Sequence, residues 1–333
     1  MFRKASFIAL LFFAFYTVSA QSGDLARMQA DLRSHYAAGR YAEALKTSDA
    51  IVAATVAQHG KDSLEAARAW ANRAAVEDAL GETKKAADSL DRASDIFEKF
   101  KDLEKPDASL YARVLEQRAG ARLGTDMMSA ENIFKRALKL RESASGPDSP
   151  ETVGPLAGLA NIRFWRREYR EAAETFRRAL ANLTRRPQPD RSDVTLIYQR
   201  ARCSMRKAKM ETELEELKQL YSTAAEFSTL GDPTVPRKPR LINAGVVNGK
   251  ALQLIKPGYP VEARRDNAQG IVEVDVLIDE QGTVVSACAA PNAHPALAEA
   301  SEISAYRSKF SPTTLAGNPV KVSGRITYNF RRN

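Results

Sequence analysis

Through the first two-thirds of the chain apolar residues recur at helical spacing; in the last third they alternate. The segments GRYAEAL at Gly39, GETKKAADSLDRA at Gly81, MMSAENIFKRAL at Met127 and REYREAAETFRRAL at Arg167 align on Ala44, Ala86, Ala130 and Ala172. By subtraction the steps are 42, 44 and 42 residues. Four residues on, Leu90, Phe134 and Phe176 are large and apolar; three further, Ala93, Ala137 and Ala179 are small again. Small residues let two helices approach closely, and the large one fills the gap against the next pair. No pair buries its stripe alone, so the pattern predicts helix hairpins stacked into a solenoid. A fifth unit, Asp193 to Ala224, lacks the turn Gly and places Glu213 where Ala should fall. It reads as a capping hairpin at the end of the stack.

After Phe227 the pattern breaks. Pro233, Pro236 and Pro239 cannot continue a helix and bias their predecessors toward extended backbone, which predicts a short, partly stiff linker. Beyond it, GIVEVDVLID puts Val272, Val274, Val276 and Ile278 on one face and Glu273 and Asp275 on the other, a strand with one buried side. Asp279 to Gly282 is a turn into a returning strand, TVVSACA. His294 to Phe310 reads as a helix stopped before Pro312, and PVKVSGRITYNF alternates again, with Val320, Val322, Ile326, Tyr328 and Phe330 on one side. The expected fold class is therefore two-domain, an all-α helical solenoid followed by a small α+β domain of order β-β-α-β. The expected boundaries are 1–20 for a leader, 21–227 for the repeats, 228–245 for the linker and 246–333 for the last domain.

The amino terminus, MFRKASFIALLFFAFYTVSAQSG, has Arg3 and Lys4, an apolar run from Phe7 to about Val18, and small residues before Gln21. That order reads as a secretory signal ending at Ala20, with retention as a membrane anchor the alternative. The formal charge of +9 becomes +7 by subtraction once Arg3 and Lys4 are removed. Lys and Arg are interleaved with Asp and Glu along the helices, as in RREYREAAETFRRAL, so the excess reads as solvated helix faces rather than a nucleic-acid surface. Cys203 and Cys288 fall in different expected domains; export permits a disulfide, but the preferred reading is two buried free thiols. No enzyme motif emerges. His35, His59 and His294 lack ligand spacing, and GVVNGKA at Gly245 is one residue short of a phosphate loop and carries Ala251 where Ser or Thr is needed. Neither a cofactor nor a metal is expected. Asn182-Leu-Thr184 matches a glycosylation sequon, which means little if the source is bacterial.

Two resemblances sharpen the picture. The repeats over about 24–224 resemble the tetratricopeptide repeat in a longer form of about 42 residues, and Ser145 to Ile162 resembles the connection of the kinesin-light-chain type. The combination P-G-Y-P-V-E-A-R at Pro257, G-I-V-E-V-D-V at Gly270, D-E-Q-G at Asp279, F-S-P at Phe310, G-N-P-V at Gly317 and Y-N-F at Tyr328 resembles the C-terminal domain of the TonB family over about 246–330. That resemblance implies a short helix after Tyr259-Pro260, with Pro260 in its first position. It also implies a sheet that grips an extended segment of an outer-membrane receptor by adding it as a strand. The implied partner-binding residues are Tyr259 and Pro260, together with Lys321, Val322, Ser323, Arg325, Ile326, Thr327 and Tyr328 on the final strand, expected to be the free edge. The expectation is a non-enzymatic periplasmic protein of TonB-type outer-membrane transport whose repeats recruit a second protein. A periplasmic scaffold with no part in energy coupling is the alternative, because a long spacer is missing and the apolar N-terminal segment contains no His.

Overall fold

The computed structural model describes residues 23–186, 189, 191–227, 241–315 and 317–331. The expected leader, 1–20, and the three linker prolines lie outside them. Among the described residues no helix is long and apolar enough to cross a membrane. The chain divides into two compact units between Ile162 and Arg163.

In the first unit α1 (Gly23–Ala37) pairs with α2 (Tyr41–His59), α3 (Leu64–Ala79) with α4 (Thr83–Phe97), and α5 (Lys105–Arg122) with α6 (Met127–Ser145). A 3-10 turn at Pro150–Thr152 leads into α7 (Val153–Trp165). The aligned positions behave as the spacing demands: Ala44, Ala93, Ala130 and Ala137 have no exposed surface, and Ala86, Leu90 and Phe134 are buried. Gly39 and Gly81, in left-handed backbone at φ 72° and 77°, close their hairpins with one pair of hydrogen bonds. At the first, Gly39 N–H donates to Tyr36 C=O and Arg40 N–H to His35 C=O; at the second, Gly81 donates to Asp78 and Glu82 to Glu77. This is the helix stop that glycine favours, since it satisfies the last carbonyls of the turn.

Several charges read as solvated faces instead tie neighbouring helices together. Both Arg68 nitrogens reach the Asp107 carboxylate at 2.7 Å, and Arg73 spans Asp49 at 2.6 Å and the fully buried Glu77 at 3.1 Å. A buried carboxylate is tolerable only with such a partner.

The second unit begins with α8 (Tyr169–Leu183), α9 (Arg191–Lys207) and α10 (Glu211–Phe227). The hairpin stops of the first unit recur here without glycine. Arg167 and Lys209 take the left-handed backbone at φ 65° and 57° and make the same two hydrogen bonds. Five residues beyond Lys209 stands Leu214, whose N–H donates to Met210 just as Ala172 N–H donates to Glu168. Leu214, not Glu213, therefore occupies the alanine position of the fifth unit. Asn182 of the sequon is buried in α8.

The sheet follows from β1 (Leu241–Val246), β2 (Ala251–Gln253), α11 (Val261–Arg265), β3 (Gly270–Ile278), β4 (Val284–Ala289), α12 (Pro295–Arg307), β5 (Lys309–Phe310), β6 (Thr313–Leu315) and β7 (Asn318–Phe330). Its order is β1-β7-β3-β4, with β6 also on β7, while β2 pairs separately with β5. The β-β-α-β core is thus present, with short strands added around it. Residues 241–245, expected as linker, are strand, and the helix expected to reach Phe310 stops at Arg307 because Lys309–Phe310 pair with β2. The alternation holds: Val272, Val274, Val276, Ile278, Val322, Ile326, Tyr328 and Phe330 form one core with Leu297, Ala298 and Ala305 of α12.

The opposite face meets α9, and Cys203 and Cys288 are joined in a disulfide, Cα atoms 5.8 Å apart. The free-thiol expectation is corrected on this point. It assumed two separately folded domains, whereas α9 and the sheet share one compact unit, which supplies the fixed docking a bridge needs. Arg202 reinforces the joint by reaching Asp275 at 2.9 Å.

Candidate functional site

A sheet that accepts a strand must offer an edge whose N–H and C=O groups lack partners. Along β7 the residues bonded to β3 alternate with residues whose backbone groups point away, and the latter include Ser323, Arg325 and Thr327. The expectation that these form a free edge is corrected: β7 lies between β3 and β1. β1 runs parallel to it in the pairs Leu241 with Lys321, Ile242 with Val322, Asn243 with Ser323 and Val246 with Arg325, slipping between the last two. Val247 N–H then donates to Arg325 C=O at 2.9 Å. One step further the Asn248 side chain clasps Thr327 from both sides, its Nδ2 donating to Thr327 C=O at 2.7 Å and its Oδ1 accepting from Thr327 N–H at 2.8 Å. The amide imitates the paired donor and acceptor of a strand residue. Linker and lead-in residues had no alternation long enough to read as a strand, so no local pattern signalled this cover.

The side chains of the expected binding strand sort by parity. Val322, Ile326 and Tyr328 point into the core, and burial pushes the Tyr328 hydroxyl pKa up. Lys321 approaches Asp193 at 3.9 Å, and Ser323 donates to Ile242 C=O at 3.3 Å. Arg325 is exposed on the outer face, bonded to Glu273 at 2.9 Å and Asp275 at 3.2 Å. Tyr259 stands apart from this strand segment, at the far end of β7. Its ring meets Phe330 edge-on at 5.6 Å, its hydroxyl donates to Ala268 C=O at 2.5 Å, and the Arg264 guanidinium lies 5.6 Å from the ring centre. It closes that end of the sheet over the turn into β3. Pro260 caps α11 from just outside rather than filling its first position, with its C=O accepting from Arg264 N–H.

The other edge, β4, is sealed by side chains the sequence reading passed over. The residues whose backbone groups point away from β3 are Val285, Ala287 and Ala289. Arg200 of α9 donates to Val285 C=O at 2.6 Å, and Ala289 N–H donates to Glu302 Oε1 at 2.9 Å; between them the Tyr306 hydroxyl lies near the Ala287 backbone. Lys207 sits 3.1 Å from the same Glu302 oxygen. Burial raises the Tyr306 pKa and lowers that of Arg200. The disulfide pins the C-terminal end of this strand at Cys288. Two cysteines in a chain expected to be exported were the one signal that could have pointed here. Cys203, Cys288 and Glu302 also place three metal-capable atoms within 4.8 Å of one another, but the two sulfurs are bonded together.

In the first unit a cleft of about 590 Å³ opens along α5 and α6, lined by Leu115, Met128 and Ile133 with Arg118, Arg122 and Arg136. The arginines are held by Asp91 and Glu98, and Met128 is 70% exposed. Of the histidines, His294 lies 3.2 Å from Asp266 and His35 accepts from Arg40 at 3.2 Å. The stretch GVVNGKA passes through a 3-10 turn at Asn248–Lys250 into β2, not into a helix whose terminus could hold a phosphate.

Residues 255–331 match the family model described as Gram-negative bacterial TonB protein C-terminal, and residues 33–99 match that of the tetratricopeptide repeat. Both are protein-interaction modules. No curated protein matches the chain. Among solved structures the chain is similar to BtubC (BKLC) from P. vanneervenii, at 15% identity and a TM-score of 0.52, over 66% of this chain and 86% of that one. It is also similar to a putative kinesin light chain with nearly identical TPR-like repeats from Podosopora anserina, at 14% identity and a TM-score of 0.47, over 62% of this chain and 97% of that one. A second structure of the latter gives 14% identity and a TM-score of 0.48, over 64% and 99%. The BtubC likeness shows the helical-repeat fold and nothing finer.

Proposed function

We propose that this chain is a non-enzymatic TonB-like adaptor of the cell envelope, exported by residues 1–20 and working in the periplasm. Repeats over 21–227 are joined to the TonB-like domain, expected at 246–333, by a linker that ends where β1 begins at Leu241. The sheet takes an extended segment of an outer-membrane receptor, or of another envelope protein, along the Lys321–Tyr328 part of β7. The repeats recruit a second protein, for which the cleft beside Met128 is the natural seat. Together they serve TonB-type transport across the outer membrane.

The observation that supports this reading is the contrast at β7. Nine consecutive residues pair with β3 on one side, whereas a six-residue strand with a register slip and one asparagine cover the other. A scaffold role without energy coupling is the second reading. It is favoured by the Cys203–Cys288 bridge, which ties the sheet to α9 rather than leaving it on a free tether.

The test is in-cell photocrosslinking from Thr327, with mass spectrometry of what is captured. Capture of an outer-membrane receptor segment supports the transport reading. Capture of only periplasmic proteins favours the scaffold, and capture of nothing removes β7 as the binding edge.

A further inference from the structure

The β7 edge in the resting protein is occupied, and the occupant is built as a ligand would be. β1 supplies parallel backbone pairing at Lys321, Val322, Ser323 and Arg325. Val247 supplies an anchor: it is 1% exposed and sits over Gly324, where an added Cβ would come within 2.5 Å of its Cγ1. Gly324 stands in the row of core-facing residues between Val322 and Ile326, so its missing side chain leaves a hollow that Val247 fills. Asn248 supplies the final clasp on Thr327. Backbone pairing, an apolar plug and a terminal clamp are what recognition by strand addition requires.

Beyond Val247 and the half-buried Ala244, which packs against the core, the segment is poorly held. Parallel pairing is the weaker kind per residue, and here it breaks where Gly245 takes the left-handed backbone at φ 63°. Val246 is 63% exposed. Behind Asn243 lies a polar recess of about 250 Å³, bordered by Ser323, Tyr198 and Tyr221, rather than packed core. The hydrogen bonds that hold β1 are thus those a competing strand can replace one for one.

We propose that residues 241–248 are a resident pseudo-ligand of the β7 edge, and that a partner's extended segment binds by displacing them. The inference rests on the strand-addition reading above and adds its regulation. The partner it implies runs parallel to β7 and carries a small apolar side chain for the hollow over Gly324. Binding is then set by competition: the apparent affinity is the intrinsic one multiplied by the fraction of time the edge is uncovered, and whatever loosens 241–248 strengthens capture.

The probe is a fluorescein-labelled peptide of the chain's own sequence, LINAGVVN, titrated into full-length oxidised protein. The wild type, with its edge filled in cis, should bind it weakly. Asn248→Ala removes two hydrogen bonds, and at about 1 kcal/mol each the peptide should bind about 30-fold more tightly. Val247→Ala with Asn248→Ala should bind it more tightly still. Amide exchange at Thr327, faster in both variants while exchange at Ala287 is unchanged, checks that only this edge has opened. Equal affinity for wild type and variants overturns the inference, and so does rapid Thr327 exchange without peptide binding. Crosslinking from Thr327 in cells separates the two ideas. Equal yields from wild type and Asn248→Ala sink the pseudo-ligand and keep the binding edge. Peptide capture as expected with no envelope protein trapped keeps the pseudo-ligand and removes the proposed partner.

Discussion

The two edges of the C-terminal sheet present the same chemical problem and solve it differently. At β4, the Val285 carbonyl and the Ala289 N–H are met by Arg200 and Glu302, long side chains from two helices, with Tyr306 packed near Ala287, and a disulfide fixes the arrangement. At β7 the outward backbone groups are met by another strand and an asparagine amide. Side chains anchored in helices can leave only if the helices move. A terminal strand held by a few hydrogen bonds can peel while the core stays folded. The difference separates an edge closed for stability from one that can be reopened.

The largest expected effect comes from breaking the β4 closure. Cys203→Ser, or reduction of the wild type, releases a loop of 85 residues, for which a loss of about 4 kcal/mol is expected from chain entropy. Urea unfolding of oxidised and reduced protein measures it; an unchanged midpoint would mean the bridge adds nothing to the docking of α9. Next, Arg200→Ala leaves the Val285 carbonyl buried without its donor and should lower stability by about 1–3 kcal/mol. Asn248→Ala should cost less, about 1–2 kcal/mol, because water reaches the freed Thr327 groups when β1 lifts. If the Asn248 variant proved the more damaging of the two, the contrast between the edges would be reversed.

The smallest effect is a pH dependence to which the buried Tyr306 beside β4 contributes. Burial raises the Tyr306 pKa, so the folded state keeps this proton after the unfolded chain has begun to lose it. The unfolded state then binds fewer protons, and stability falls as pH rises upward from about 10. Tyr306→Phe should flatten part of that fall. Asn248 does not titrate, so the cover of the β7 edge adds nothing to it, whereas the buried Tyr328 of β7 contributes a fall of the same sign.

Much of the fold was legible because it repeats locally. Ala44, Ala86, Ala130 and Ala172 announced the hairpins, and the alternation from Val272 to Ile278 announced the buried strand. The turn of the capping hairpin was misplaced by one residue, because at Lys209 a lysine adopts the conformation glycine normally signals. What no local pattern carries is which strand lies beside which. β7 reads as an edge until residues 241–246, too short and too broken by Gly245 to show a period, are placed against it. The bridge escaped for the same reason: Cys203 and Cys288 are partners only because α9 rests on the sheet.

Hydrogen exchange resolved to single amides in the intact, oxidised protein tests the contrast most directly. Thr327 and Val247 should exchange through a local opening, at least ~10-fold faster than Ala287 and Ala289, whose release requires global unfolding. Exchange of Thr327 as slow as that of Ala289 would mean that β1 never leaves and that the β7 edge is as closed as the other.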